Sequence, residues 1–196
     1  MIRSVYLAGP DVFLPDADKI GSRKVELCAK YGFKGLFPLD NEVPPPAGGP
    51  EVHGQAIYQA NVEMMRRAHA ILANLSPFRG ASADVGTAFE VGFFAALGRP
   101  IFAYSNDPRG FAERTRQVLS LAKGAVSDAD GLKIEAFDLQ ENLMLPGAVH
   151  ASGGAWIAEK ESTAGDIAAF AAFGKALEAL RDFAATPSDF PTHAAR

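Results

Sequence analysis

The chain of 196 residues has a single cysteine, Cys28, which excludes an intramolecular disulfide and a cysteine-based zinc cage. Its four histidines, His53, His69, His150 and His193, lie far apart and never show H-E-x-x-H spacing, so no metal site is expected. No apolar stretch approaches the ~18 residues of a membrane span, so a membrane partner is not expected. Lys and Arg never run long enough to track a phosphate backbone. With 19 basic residues against 23 acidic ones and a net charge of -4, nucleic acid is not an expected partner either. Both the G-x-G-x-x-G dinucleotide fingerprint and the G-x-x-x-x-G-K-[ST] phosphate loop are missing, and no cofactor is expected. A signal-peptide pattern is missing too: Met1-Ile2-Arg3 leads straight into a strand-like run, so a reducing cytoplasm is the expected compartment.

What remains is the balance of a globular protein, 48% apolar and 21% charged. The length suits one domain, expected over 1–183 with a flexible tail over 184–196. Ile2 to Ala8 reads as a buried strand closed by Gly9-Pro10, and Asp16 to Tyr31 as a helix stopped by Gly32. Phe33 to Phe37 is a second strand. The prolines and glycines from Pro44 to Pro50 fit neither helix nor central strand and suggest a mobile surface loop or lid. Val52 to Ala68 reads as helix, Ala70 to Leu75 as strand, Asp84 to Leu97 as helix and Ile101 to Tyr104 as strand. Asp107 to Ala125 is expected to be an exposed helix, Phe137 to Leu145 a short mixed segment, and Ala164 to Phe183 a last amphipathic helix. Trp156 and the Phe170/Phe173 pair are expected to dock that helix or to form a subunit contact. Alternating strands and helices with short connections imply an α/β, single-domain, parallel-sheet sandwich. It would be flavodoxin- or Rossmann-like, with about five strands flanked by helices and ligands at the strands' carboxyl ends.

The segment Asp84-Val-Gly-Thr-Ala-Phe-Glu90-Val-Gly carries the clearest chemistry. From Val85 to Gly98, Glu90 is the only charged residue, and a helix apolar on nearly every face is expected to be buried. An unpaired carboxylate there is costly. Glu90 is therefore either half of a structural ion pair or an acid, base or nucleophile at a pocket mouth, with Gly86 and Gly92 clearing space around it. Asp84 is placed to cap this helix, with Thr87 three residues on, and can also bind a ligand hydroxyl. Tyr6 is either core or the residue that orients a nearby carboxylate. The runs Glu63–Arg67 and Glu113–Arg116 read as solvated helix faces, His69 as a structural histidine and Cys28 as core.

Four motifs in order, Y-L-A-G-P-D-V-F from Tyr6, L-S-P-F-R-G from Leu75, D-V-G-T-A-F-E-V-G from Asp84 and E-N-L-M-L from Glu141, resemble the nucleoside 2-deoxyribosyltransferases. The resemblance is closest to the purine-handling branch and spans about residues 1–150. It implies Glu90 as nucleophile, Tyr6 as its holder and Asp84 as the carboxylate on a sugar hydroxyl. It also implies Asn142 as an amide inserted from a neighbouring subunit, with Met144 packing on the base. Asp40, Asn41 and Glu42 would lie near the nucleobase, and the first loop, with Gly9, Asp11 and Phe13, would line the substrate site. Asn61, eight residues before His69, stands where many relatives carry the aspartate that protonates the leaving base. It can hydrogen-bond a purine or be a solvated helix residue. Asp40, Glu42, Asp11 or a shuttle on the nucleophile's side are the remaining proton donors.

The resemblance thus implies transfer of 2-deoxyribose between nucleobases, purines preferred, in nucleoside salvage. The partners would be a deoxynucleoside, a free nucleobase and at least one further copy of the chain. A hydrolase on the same scaffold and a non-catalytic nucleoside-binding module are the alternatives.

Overall fold

The computed structural model describes residues 1–41, 43–44, 48–160 and 166–186. Its elements in order are β1 (Ser4–Ala8), α1 (Ala17–Lys30), β2 (Lys34–Leu36), α2 (Gly49–Arg67), β3 (Ala70–Asn74), α3 (Val85–Ala96) and β4 (Ile101–Ser105). After these come α4 (Phe111–Val118), α5 (Met144–Ala151), β5 (Trp156–Ala158) and α6 (Phe170–Ala185). Short 3₁₀ turns cover Pro10–Phe13 and Pro38–Asp40.

The five strands form one parallel sheet in the order β2-β1-β3-β4-β5. Every residue of β1, β3 and β4 is buried, because helices cover both faces of a parallel sheet. Alternate residues serve two cores. Tyr6, Ala8, Ile71, Ala73, Ile101 and Ala103 pack beneath α2, α3 and α5. Val5, Leu7, Leu72, Phe102 and Tyr104 pack beneath α1 and α6. Each large side chain so buried contributes about 1.5–3 kcal/mol. The chain leaves β1 toward β2 on one side and later returns to β3 on the other. This reversal opens a crevice beyond the carboxyl ends of β1 and β3, where α/β sheets hold ligands.

Several elements depart from expectation. Helix α4 spans only eight residues, not the whole of 107–125, because the chain turns left-handed at Ser120 (φ 55°) just after it. The segment ending at Leu145 runs directly into α5, whose Pro146 and Gly147 disguise it. Pro146 falls in the first turn, where a missing N–H costs nothing. Trp156 does not dock the last helix but opens the edge strand β5. Helix α6 begins at Phe170 rather than Ala164 and continues through Ala185. Phe173 is part of the core under it.

Helix α3 is the main correction. It was expected to be buried on nearly every side, yet Val85 is 84% exposed and Phe89 50%. Only Thr87, Val91 and Phe94 are fully buried, with Ala88 and Phe93 packing partly against the core. Its outward apolar row continues through Tyr58 of α2, whose ring lies 6.1 Å from that of Phe89. No helix among the described residues is long and apolar enough to cross a membrane.

Candidate active site

Tyr6 sits mid-strand in β1, opposite Ile71 of β3, and points to the α2/α3/α5 face. Its ring is fully buried and stacks on Phe94 of α3 at 6.0 Å. Its hydroxyl donates to Glu90 Oε1 at 2.5 Å. Burial first, then the charge of Glu90, holds the phenol far above its ordinary pKa, so Tyr6 is a fixed donor.

Glu90 is partly buried on α3. Among the described residues no Lys or Arg pairs with it, and Tyr6 supplies its hydrogen bond. Burial pushes its carboxyl up to about 7; the Tyr6 bond pulls it down, and the Asp84 charge adds to the rise. A carboxylate so poised, without a counter-ion, is suited to exchange between a proton and a developing positive charge.

Asp84 caps α3. Its Oδ2 accepts from Thr87 N at 3.0 Å and Thr87 Oγ1 at 3.2 Å. Among the described residues no hydrogen bond reaches Oδ1, so capping leaves one oxygen for a ligand. A β-strand tyrosine, a helix-cap carboxylate and a helix-borne glutamate thus converge at the β1/β3 crevice.

The other expected site residues are placed differently. Asn61, on α2, accepts from Asn41 Nδ2 at 3.5 Å, which ties that helix to the turn over 38–41. Asp40 is exposed, and its Oδ2 accepts from Phe37 N at 3.2 Å. Glu42 and much of the Pro-rich loop, Pro45 to Ala47, lie outside the described residues. Phe13 is half exposed and stacks on Phe78 at 5.4 Å, with the Arg79 guanidinium over both rings. This aromatic platform lies at the same edge of the sheet, on the loops that follow β1 and β3.

Asp11 does not face the crevice as expected. It is buried, with Oδ1 taken by Lys24 Nζ at 2.7 Å and Oδ2 by Asn74 Nδ2 at 3.1 Å. Lys24 also donates to Tyr104 Oη at 2.9 Å. Burial lowers the Lys24 pKa, opposed by Asp11. Gly9 lies against this cluster at φ 154°; a Cβ there would sit 2.6 Å from both Asn74 Cβ and Asp11 Oδ2. Its role is packing at the root of the first loop.

Asn142 precedes α5 and is held within its own chain. Its Nδ2 donates to Glu135 Oε2 at 2.7 Å, and its Oδ1 accepts from Met144 N at 3.2 Å. None of its hydrogen bonds reaches Tyr6, Asp84 or Glu90. Met144 is 70% exposed. Directly before Asn142, the buried Glu141 pairs with Arg114 at 2.6 Å and accepts from Ser82 Oγ. Arg114 also donates to the carbonyls of Ala81, Arg109 and Gln140.

Sequence reasoning missed three of these features. Arg114 was placed on a solvated face, whereas α4 turns it inward to Glu141. Lys24 follows the helical spacing of a surface lysine, and its partners Asp11 and Tyr104 come from distant parts of the chain. Phe78 and Arg79 were visible inside L-S-P-F-R-G but without a partner. The Glu63–Arg66 pair, at 2.8 Å, is exposed as expected, and His69 shares a 2.8 Å hydrogen bond with Ser4 Oγ. Cys28 is core, its thiol pushed up to about 12 by burial. No group of three or more His, Cys, Asp and Glu among the described residues is close enough to hold a metal ion.

Comparison with known proteins follows the same span. A family model described as nucleoside 2-deoxyribosyltransferase matches residues 5–144, which include Tyr6, Asp84, Glu90, Asn142 and Met144. An uncharacterized protein of Schizosaccharomyces pombe (strain 972 / ATCC 24843) is 32% identical over 166 residues, 76% of this chain and 78% of its own. The solved 2-deoxyribosyltransferase from Leishmania mexicana is 32% identical, with a TM-score of 0.61 over 88% of this chain and 97% of that one. A conserved protein from Enterococcus faecalis V583 shares the fold at 17% identity, with a TM-score of 0.57 over 93% of this chain and 99% of that one.

Proposed function

The chain belongs to the nucleoside 2-deoxyribosyltransferase family and is a pentosyltransferase-type enzyme acting on nucleosides and nucleobases, and on that premise we propose a retaining double displacement in which Glu90 is the nucleophile and purines are the preferred bases. The observation that carries this reading is the isolated Glu90 carboxylate, fixed by Tyr6 at 2.5 Å and raised to about 7 by its surroundings.

In the first step a Glu90 oxygen attacks the anomeric carbon of the deoxynucleoside. The N-glycosidic bond breaks, its electron pair leaves with the base, and the base takes up a proton. In the second step a nitrogen of the incoming base attacks the same carbon, the sugar–Glu90 ester bond breaks, and that nitrogen gives up its proton. Two inversions retain configuration. The oxocarbenium-like transition states are stabilised by the nearby carboxylates in a site of low dielectric. The Tyr6 hydroxyl keeps one Glu90 oxygen occupied and aims the other.

The free oxygen of Asp84 takes a sugar hydroxyl. Asn61, with the turn over 38–41 beside it, faces the base, and Phe13 on Phe78 offers a flat surface for it. With Asp11 locked to Lys24, Asp40 is the described carboxylate left to protonate the leaving base. The apolar row from Tyr58 through Phe89 and Val85 is where a second copy docks, bringing its Asn142 and Met144 to this site.

The test is to incubate deoxyinosine with and without adenine. Deoxyadenosine should accumulate at the rate of hypoxanthine release. Hypoxanthine released equally fast without adenine, with no deoxyadenosine formed, would show a hydrolase instead.

A further inference from the structure

We propose that Glu135, outside every motif of the site, is the positioning residue that fixes the amide of Asn142 for sugar recognition; this rests on the role given to Asn142 above. The argument starts from the geometry of one amide. Asn142 Nδ2 donates to Glu135 Oε2 at 2.7 Å, while its Oδ1 accepts from Met144 N at 3.2 Å. A flipped amide would set oxygen against the Glu135 carboxylate and N–H against N–H. The two partners have opposite polarity, so a single orientation survives. It leaves one Nδ2 hydrogen and one Oδ1 lone pair side by side, a donor and an acceptor matched to a hydroxyl.

Glu135 is itself held for this purpose. It lies in the excursion between α4 and α5, where Ser127 and Lys133 form an antiparallel bridge and Ile134 N donates to Val126 O at 2.9 Å. Its second oxygen, Oε1, accepts from Leu143 N at 2.5 Å. A residue serving only to close the start of α5 needs one oxygen there. Glu135 commits the other to a side chain. Meanwhile the backbone before Asn142 is anchored by Glu141 to Arg114 and Ser82. Glu141 thus anchors the backbone before Asn142, while Glu135 is the carboxylate that accepts from the amide itself and, with Met144 N, sets which way it faces.

The experiment compares wild type, Glu135→Ala, Glu135→Gln and Asn142→Ala on deoxyinosine and on its 3′-deoxy and 5′-deoxy analogues, with adenine as acceptor. Glu135→Ala is expected to raise KM for deoxyinosine about tenfold with kcat changed less than about twofold, the pattern of lost uniform binding. That penalty should vanish on whichever analogue lacks the hydroxyl held by Asn142, and Asn142→Ala should lose its penalty on the same analogue. Glu135→Gln, which can still accept one of the two hydrogen bonds, should fall between. It carries the same comparison if Glu135→Ala fails to fold. A Glu135 penalty that is equal on all three substrates, or absent, while Asn142→Ala keeps its analogue signature, overturns the positioning role alone. Asn142→Ala without a penalty, or a wild type that turns over no deoxyinosine, overturns the underlying reading and this inference with it.

Discussion

Replacing Tyr6 by Phe removes one oxygen and leaves the ring on Phe94, so it isolates what the hydroxyl does. The bond lost is a 2.5 Å donation to Glu90. Hydrogen bonds to a charged acceptor contribute about 1.5–3 kcal/mol, and one pKa unit corresponds to about 1.4 kcal/mol. Since the Tyr6 bond pulls the Glu90 carboxyl down, its loss moves Glu90 up from about 7 to about 8–9. In the proposed mechanism Glu90 attacks as the carboxylate, so activity should rise with pH through this pKa. At pH 7 the ionised fraction falls from about one half to about 1–10%. The assay is the pH profile of kcat/KM for deoxyinosine with adenine from pH 5 to 9.5. Wild type should show an acid limb centred near 7. In Tyr6→Phe the limb should shift upward by one to two units, with the loss greatest below pH 7 and shrinking toward pH 9. An acid limb that stays put, or a loss equal at every pH, would refute the coupling.

Glu90→Gln should abolish transfer while stabilising the fold. Because burial raises the folded carboxyl to about 7 from its ordinary 4.5, the unfolded chain ionises first as pH rises, and stability drains away between those values. At pH 8 the variant should be more stable by up to about 3 kcal/mol, with the difference gone at pH 4; urea melts at both pH values check it. Deoxyadenosine should be turned over about 100-fold faster than its 5′-phosphate, since the Asp84 carboxylate at ~4 Å from a like charge costs roughly 4 kcal/mol before screening. Asp84→Ser keeps a good cap and should narrow that ratio; a wild-type preference for the phosphate would reverse the assignment. Lys24→Met leaves Asp11 with a buried unpaired charge and should cost about 3–5 kcal/mol, seen as a Tm lower by about 10 °C. The double variant Lys24→Met/Asp11→Leu should recover most of it.

The fold was legible where burial dictates composition. Runs such as Ala70–Leu72 and Ile101–Ala103, closed by proline, serine or asparagine, can only be inner strands. The lone Glu90 in an apolar helix was legible for a related reason, because a charge there has to be explained. Exposure of α3 was not, since a row of Val and Phe left at the surface is written like a row that faces the core. Helix α5 was hidden by Pro146 and Gly147, whose usual effect depends on where in the helix they fall. Lys24 and Arg114 escaped because spacing shows which side of a helix a residue takes, while the buried partner that neutralises it comes from a distant part of the chain. Glu135 escaped for lack of any periodicity in its surroundings.

With Asn74 Cβ and Asp11 Oδ2 each only 2.6 Å from where the Cβ of Gly9 would be, even a methyl group at this point would act as a wedge driven between the first loop and the end of β3. The spacing between the first loop and the end of β3 is thus gauged by a hydrogen atom, and alanine here should push the two apart without touching Tyr6 or Glu90.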